Sequence, residues 1–256
     1  MLNNIWFNGV SARDMGVRNI EHYPDLSRPE RKVDVFDIPG RSGQIVFPQD
    51  AWENIDREYD IYAGNGLRGS APRPFMSIGE WLNSANGYAR LEDTYEPDVF
   101  RLAYCTGGFE AENAYTRFGR ATITFHCRPE RFLKDGEEET VLTSGTAVSE
   151  GDVILRNPTG FKAKPLIYIS CTVSAGTSYA LNFKSGGKTY QILTEQEPVN
   201  GIFVDCETMD VYDDTGANKN SFVEIDDFPV FHPGDVLFST LKTNYTVKVI
   251  PRWYVI

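Results

Sequence analysis

With 256 residues the chain has room for two ordinary domains, each large enough to bury a core. Its 36 Asp and Glu against 25 Lys and Arg leave a formal charge of -11, which argues against sequence-specific nucleic-acid binding, because phosphate contacts need clustered cations. The start, MLNNIWFNGV, has no basic segment leading into an apolar one, and no later run approaches membrane-spanning length, so the expectation is a chain made in the cytoplasm with no membrane partner.

Ile5-Trp6-Phe7 followed by Asn8-Gly9 reads as a short strand entering a tight turn. The segment His22 to Glu30 holds two prolines and many charges and suits a connecting loop. Next comes DVFDIPGRSGQIVF, Asp34 to Phe47, in which two apolar runs flank a compact turn. Pro39 presets φ for the first central turn position and Gly40 supplies the positive φ that a type II turn needs next. Val33 and Val35 share one face of the incoming strand with Asp37, and Phe36 and Ile38 share the other, so this strand is expected to be apolar mainly on one side.

Arg57 to Tyr62 alternates as a strand does, and Gly64 to Pro74, rich in glycine and proline, reads as a loop. One helix is expected. Ser77 with Glu80 forms a capping-box pattern, Met76 is placed to pack on Trp81 as a staple, Ile78, Trp81 and Leu82 share a face, and Gly87 is a stop. Strands follow around Val99 to Tyr104 and Ala121 to Cys127. In the latter, Ile123 and Phe125 oppose Thr122, Thr124 and His126.

The charged stretch between Phe132 and Thr140 marks a domain boundary, dividing the chain into 1–134 and 135–256. Beyond it lie many short strands at regular spacing and no helical period, which indicates a β-sandwich. The fold class expected is mainly β: two β-sandwich domains, the first with a single α-helix and extended hairpin elements.

Chemistry is sparse. The three histidines, His22, His126 and His232, lack metal-ligand spacing, and none sits beside a nucleophile and an orienting acid in sequence. Cys105, Cys127, Cys171 and Cys206 are far apart with no Cys-x-x-Cys pair, so they read as buried free thiols. Gly186-Gly187-Lys188-Thr189 imitates the end of a phosphate-binding loop, but Asn182 stands where its leading glycine belongs, so a hairpin turn is expected. Asp213 to Gly216 reads as a turn and not as a calcium loop. No catalytic residue, cofactor or metal ligand is assigned.

The order of short motifs carries more information than any one of them. Trp6-Phe7-Asn8-Gly9-Val10-Ser11, Asp14-Met15-Gly16, Ile38-Pro39-Gly40-Arg41-Ser42-Gly43, the Trp81-Leu82 helix and Phe125-His126-Cys127-Arg128-Pro129 follow one another in the first half. The second half adds Val204-Asp205-Cys206-Glu207, Val211-Tyr212, Asn220, Phe228-Pro229, Pro233-Gly234-Asp235 and Pro251-Arg252-Trp253. In this order the chain resembles the distal tail proteins (Dit) of long-tailed, siphovirus-type bacteriophages and their prophages. Asp235 stands where family members often carry Asn, which a turn tolerates.

The resemblance implies a non-enzymatic structural hub at the virion tail tip. Six copies would form a ring joining the tail tube protein to the tail-associated tip protein, with a C-terminal sandwich like those of galectins or carbohydrate-binding modules. Some relatives hold a receptor-binding protein, a further partner, on a long arm insertion that this second half lacks. Contacts between subunits or with tail partners are then expected at Pro39, Gly40, Arg41, Ser42 and Gly43 and at Asn65, Leu67 and Arg68. The alternative is a carbohydrate-binding adhesion module for the host cell surface, in which exposed aromatics, Tyr179, Tyr190 or Tyr212, stack on a sugar.

Overall fold

The computed structural model describes residues 3–22, 28–64, 72–115, 118–143, 153–171, 179–194, 201–239 and 245–256. The chain is mainly β and divides into two compact units, Met1–Arg131 with Ile256, and Phe132–Val255.

The first unit contains β1 (Ile5–Phe7), β2 (Val10–Ser11), β3 (Val17–Glu21), β4 (Arg31–Asp37), β5 (Gln44–Trp52), β6 (Ile55–Gly64), α1 (Pro72–Leu82), β7 (Ala89–Asp93), β8 (Val99–Tyr104), β9 (Ala111–Tyr115) and β10 (Phe118–Leu133). One sheet runs β2-β1-β7-β8-β10-β6-β3, with β9 also paired to β10, while among the described residues β4 and β5 pair only with each other. Alternation sets the inward face: Tyr59, Ile61 and Ala63 of β6 and Ala121, Ile123, Phe125 and Cys127 of β10 are buried. The sheet curls, because Phe7 on β1 meets Phe125 on β10 with ring centroids 5.0 Å apart although two strands separate them. Helix α1 closes this core with Phe75, Ile78, Trp81 and Leu82, and the Trp81 indole donates to the Phe7 carbonyl at 3.0 Å.

The helix differs from its sequence expectation at both ends. It begins at Pro72, five residues before Ser77, because the prolines at 72 and 74 sit in the first turn, where a missing N–H costs nothing. Ser77 is therefore interior, and Met76, 68% exposed, staples nothing. The helix stops at Leu82 and not at Gly87, with the Asn83 backbone and side-chain amides both donating to the Gly79 carbonyl at 3.2 and 3.0 Å.

The second unit contains β11 (Thr140–Thr143), β12 (Val153–Asn157), β13 (Leu166–Cys171), β14 (Tyr179–Ser185), β15 (Lys188–Thr194), β16 (Ile202–Asp205), β17 (Asp210–Tyr212), β18 (Val223–Glu224), β19 (Gly234–Ser239), β20 (Tyr245–Ile250) and β21 (Tyr254–Val255). Two five-stranded sheets, β11-β20-β13-β16-β17 and β12-β19-β14-β15-β18, face each other over one apolar cluster that includes Ile167, Phe183, Val204, Phe231, Phe238 and Trp253. This is a β-sandwich. Gly186 and Gly187, both at positive φ, make the tight turn between β14 and β15. Asp213 Oδ1 accepts from the backbone of Thr215 and Ala217 and from the Thr215 hydroxyl, so that segment is a side-chain-bonded turn. These bonds hold the Asp213 carboxyl down at about 2.

Candidate functional site

The β4–β5 ribbon is the part of the molecule whose sequence and surroundings disagree most. Its tip is the expected turn: the Arg41 N–H donates to the Ile38 carbonyl at 3.2 Å, with Gly40 at φ 80° in the second central position. The register pairs Val33 with Pro48, Val35 with Val46 and Phe36 with Ile45, and places Asp34 opposite Phe47. Cross-strand partners share a face, so Val33, Val35 and Val46 lie on one side and Phe36, Ile45 and Phe47 on the other. Both sides are open to solvent, with Phe36 57% and Val46 and Phe47 each 54% exposed. The ribbon is thus apolar on both faces, which corrects the expectation of one apolar side.

Polar clamps bound this apolar stretch. Near the base, Arg31 donates to the Gln49 carbonyl and pairs with Asp50 at 3.2 Å, and Gln49 donates to Asp34 at 2.8 Å. At the tip Gln44 donates to Asp37 at 3.0 Å. The aromatic pair Phe36–Phe47 packs edge to face at 5.8 Å. In a two-stranded sheet each strand is also an edge, and among the described residues no third strand pairs with β4 or β5.

A second concentration of chemistry is buried. Arg57 donates through Nε to the Tyr59 hydroxyl at 2.8 Å and through Nη2 to Asp93 and Glu96, each at 3.0 Å. The Tyr59 hydroxyl donates to Asp93 at 2.5 Å. Glu96 also receives Arg101 at 2.9 Å and Arg131 at 3.1 Å. Burial alone would raise both carboxyls, but Tyr59 and Arg57 around Asp93, and Arg101 and Arg57 around Glu96, outweigh it and hold both below the usual range. Burial together with the Asp93 charge pushes the Tyr59 hydroxyl well up. Both carboxylates are held by arginines, and these bonds run between strands of one unit, so the network is an architectural clasp across β6, β7, β8 and β10.

Elsewhere, His126 meets Asp56 at 2.5 Å and packs on Tyr104 at 5.0 Å. All four cysteines are free thiols, and burial raises that of Cys127 to about 12. Among the described residues no three His, Cys, Asp or Glu side chains gather in a way that could hold a metal ion.

Of the residues expected to make contacts, Pro39, Gly40, Arg41, Ser42 and Gly43 form the ribbon tip, while Asn65, Leu67 and Arg68 lie outside the described residues. Of the proposed sugar contacts, Tyr179 and Tyr190 are buried, which corrects the expectation that they are exposed. They occupy inward positions of β14 and β15, where Tyr179 stacks on Tyr245 at 3.9 Å and Tyr190 on Phe183 at 5.3 Å. Tyr212 is half-buried on an outward position of β17. The sequence reading missed Ile45, Val46 and Phe47 as a surface; the signal was there, since three consecutive apolar residues in a strand place apolar groups on both faces.

No protein-family model matches the chain, and no curated protein sequence does either. Solved structures do. The Dit protein of phage SPP1, described as a paradigm of the hub adsorption apparatus in phages that infect Gram-positive hosts, superposes with a TM-score of 0.68 over 100% of both chains at 14% identity. The chain has a Dit-like fold. A chain of the phage P2 baseplate in its activated conformation with calcium matches with a TM-score of 0.54 at 11% identity, covering 97% of this chain and 98% of that one. The strontium form of the p2 baseplate gives 0.53 at 11% identity, covering 96% and 97%. At these identities a Dit-like fold is shared architecture.

Proposed function

We propose that this chain is a structural, non-enzymatic hub subunit of a phage tail tip, six copies closing into a ring between the tail tube protein and the tail-associated tip protein. The observation that carries this reading is the ribbon: a two-stranded sheet with exposed apolar side chains on both faces. An isolated hairpin is marginal in water, and a contiguous apolar surface is a common mark of an interface. The occupant we assign is a second copy of this chain, because the whole-chain likeness to a phage hub protein favours repeated self-contact. The chain's acidic balance suits a ring whose channel passes DNA without retaining it. The subunit then resides at the virion tail tip and is assembled in the host cytoplasm.

Light scattering with negative-stain imaging of the purified chain tests this. A ring of six copies is expected, together with a monomeric product from the double variant Phe36→Asp, Val46→Asp. Arg41→Glu at the tip should weaken assembly less than the double variant does. A strictly monomeric wild-type chain from micromolar to millimolar concentration would overturn the hub reading. A ring that forms equally well in the double variant would remove the ribbon from the interface.

A further inference from the structure

The chain contains Asn-Gly pairs at 8–9, 65–66, 86–87 and 200–201, and both residues are described for Asn8-Gly9 and for Asn86-Gly87. Asparagine before glycine is a reactive pair. With no side chain to shield it, the glycine nitrogen can attack the asparagine Cγ wherever the backbone brings the two atoms together. All four of these residues are exposed, so access to water does not separate the two pairs. Their backbones do.

Asn8 and Gly9 are the two central residues of the β1–β2 hairpin, at φ 52° and 76°, with Phe7 paired to Val10 across the turn. Two positive φ values in a two-residue loop make a type I′ turn. In that left-handed conformation the backbone of Asn8 swings the Gly9 nitrogen away from the Asn8 side chain, the arrangement least able to close a ring. Asn8 is also pinned. Its N–H donates to the Arg90 carbonyl at 3.0 Å and its side-chain amide donates to Ser84 Oγ at 3.4 Å. Ring closure there would have to undo the hairpin.

Asn86 and Gly87 lie in the segment that joins α1 to β7, outside any helix or strand, and among the described residues neither makes a hydrogen bond. Asn86 is not among the residues at positive φ, and a Cβ added at Gly87 would meet nothing within 4 Å. The Gly87 N–H is therefore open to deprotonation, and no neighbour crowds the ring that would form. Both ends of the segment are held. The Ser84 N–H donates to the Trp81 carbonyl at 3.1 Å, and the Tyr88 hydroxyl accepts from Asn54 Nδ2 at 2.6 Å with the Arg128 guanidinium 4.9 Å from its ring centroid. A reaction at Asn86 thus leaves the core in place and alters only the short span between the helix and β7.

We propose that Asn86 is a spontaneous modification site of the folded protein, converting to aspartate and isoaspartate while Asn8 is protected by its turn. The Gly87 nitrogen, once its proton has passed to base, bonds to Asn86 Cγ, and the Cγ–Nδ2 bond breaks with release of ammonia to leave a succinimide. Water then opens the ring at either carbonyl, giving aspartate or, where the chain continues through the side-chain carboxyl, isoaspartate. Each event exchanges an amide for a carboxylate and so adds one negative charge to a chain already at -11. Isoaspartate also lengthens the backbone by one carbon just before the Tyr88 anchor. The reaction needs no ring of subunits and stands or falls apart from the hub reading.

The test is to age the purified full chain in mildly alkaline buffer and to follow the peptides that carry the two pairs by mass spectrometry, with isoaspartyl methyltransferase labelling as a second readout. Isoaspartate should accumulate at Asn86 at least about tenfold faster than at Asn8. The rate at Asn86 should fall in mildly acidic buffer, because the attack needs a deprotonated nitrogen. In urea the two rates should converge, since the hairpin that protects Asn8 is then gone. Gly87→Ala, which shields the nitrogen and has room for its Cβ, should slow the reaction at Asn86 by about tenfold. Equal rates in the folded chain overturn the proposal, as does a ratio that persists unchanged in urea. A product at Asn86 that is aspartate alone would come from direct hydrolysis and also overturns it.

Discussion

The molecule contains two hairpins built from the same kinds of residue that meet opposite fates. In β14–β15, Tyr179, Leu181 and Phe183 alternate strictly with Ala180, Asn182 and Lys184, and the first set is fully buried in the sandwich. In β4–β5, Ile45, Val46 and Phe47 follow one another without a polar interruption, and all three are exposed. Alternation specifies one face to bury, and a second sheet of the same chain supplies the cover. A consecutive apolar run specifies two faces, and the two-stranded ribbon covers neither. The first hairpin is stabilised within the subunit. Under the hub reading proposed above, the second is completed by another copy of the chain.

The largest expected effect separates the two most directly. Phe183→Ala removes a ring that packs against Tyr190, Phe231 and Phe238, and should cost about 3–5 kcal/mol in urea unfolding followed by fluorescence. Phe36→Ala should change the stability of the dissociated chain by no more than about 0.5 kcal/mol, as an exposed site does. Equal losses for the two variants would mean that the ribbon is already part of a core within the monomer, and the contrast would collapse.

The buried clasp of the first unit comes next. Asp93→Ala leaves the Arg57 guanidinium with Glu96 alone and strips the Tyr59 hydroxyl of its acceptor, which should cost about 3 kcal/mol. Its pH signature has a definite sign. Asp93 and Glu96 are held below their ordinary values, so their contribution is fully present above about pH 4, the unfolded carboxylate range, and is lost as pH falls through the lower folded values. Denaturant midpoints should therefore fall as pH drops below about 4, and Asp93→Asn should flatten that decline. An unchanged acid limb in the variant would show that other carboxylates set it.

Local chemistry was the most legible part of this chain. Pro39 and Gly40 announced their turn because a type II turn needs those two residues in that order, and ATITFHC announced its buried side by alternation. The helix was found but misplaced. A capping-box pattern at Ser77 and Glu80 competed with prolines at 72 and 74, and the freedom of proline in a first turn prevailed. The clasp was invisible, since Arg57, Asp93, Glu96, Arg101 and Arg131 come together only through the sheet order β7-β8-β10-β6. For the same reason Tyr179 and Tyr190 were misjudged as exposed. Their side of the strand depends on which sheet covers it, and only the register settles that.

The smallest expected effect uses one substitution in both turns. Gly40→Ala forces an L-residue to φ 80° but meets nothing within 4 Å, so the cost should be about 1 kcal/mol and confined to the ribbon. Gly186→Ala carries the same backbone penalty at φ 58° and also brings its Cβ to 2.4 Å from the His232 ring, so about 2 kcal/mol or more is expected. The readouts differ as well. Gly186→Ala should lower the global unfolding midpoint, because β14 and β15 belong to the sandwich core. Gly40→Ala should leave that midpoint in place and instead speed hydrogen exchange at the Arg41 amide, whose bond to the Ile38 carbonyl closes the turn. A global loss from Gly40→Ala would tie the ribbon to the fold of its own subunit. A loss visible only in amide exchange and in ring assembly keeps it as a surface made for another copy of the chain.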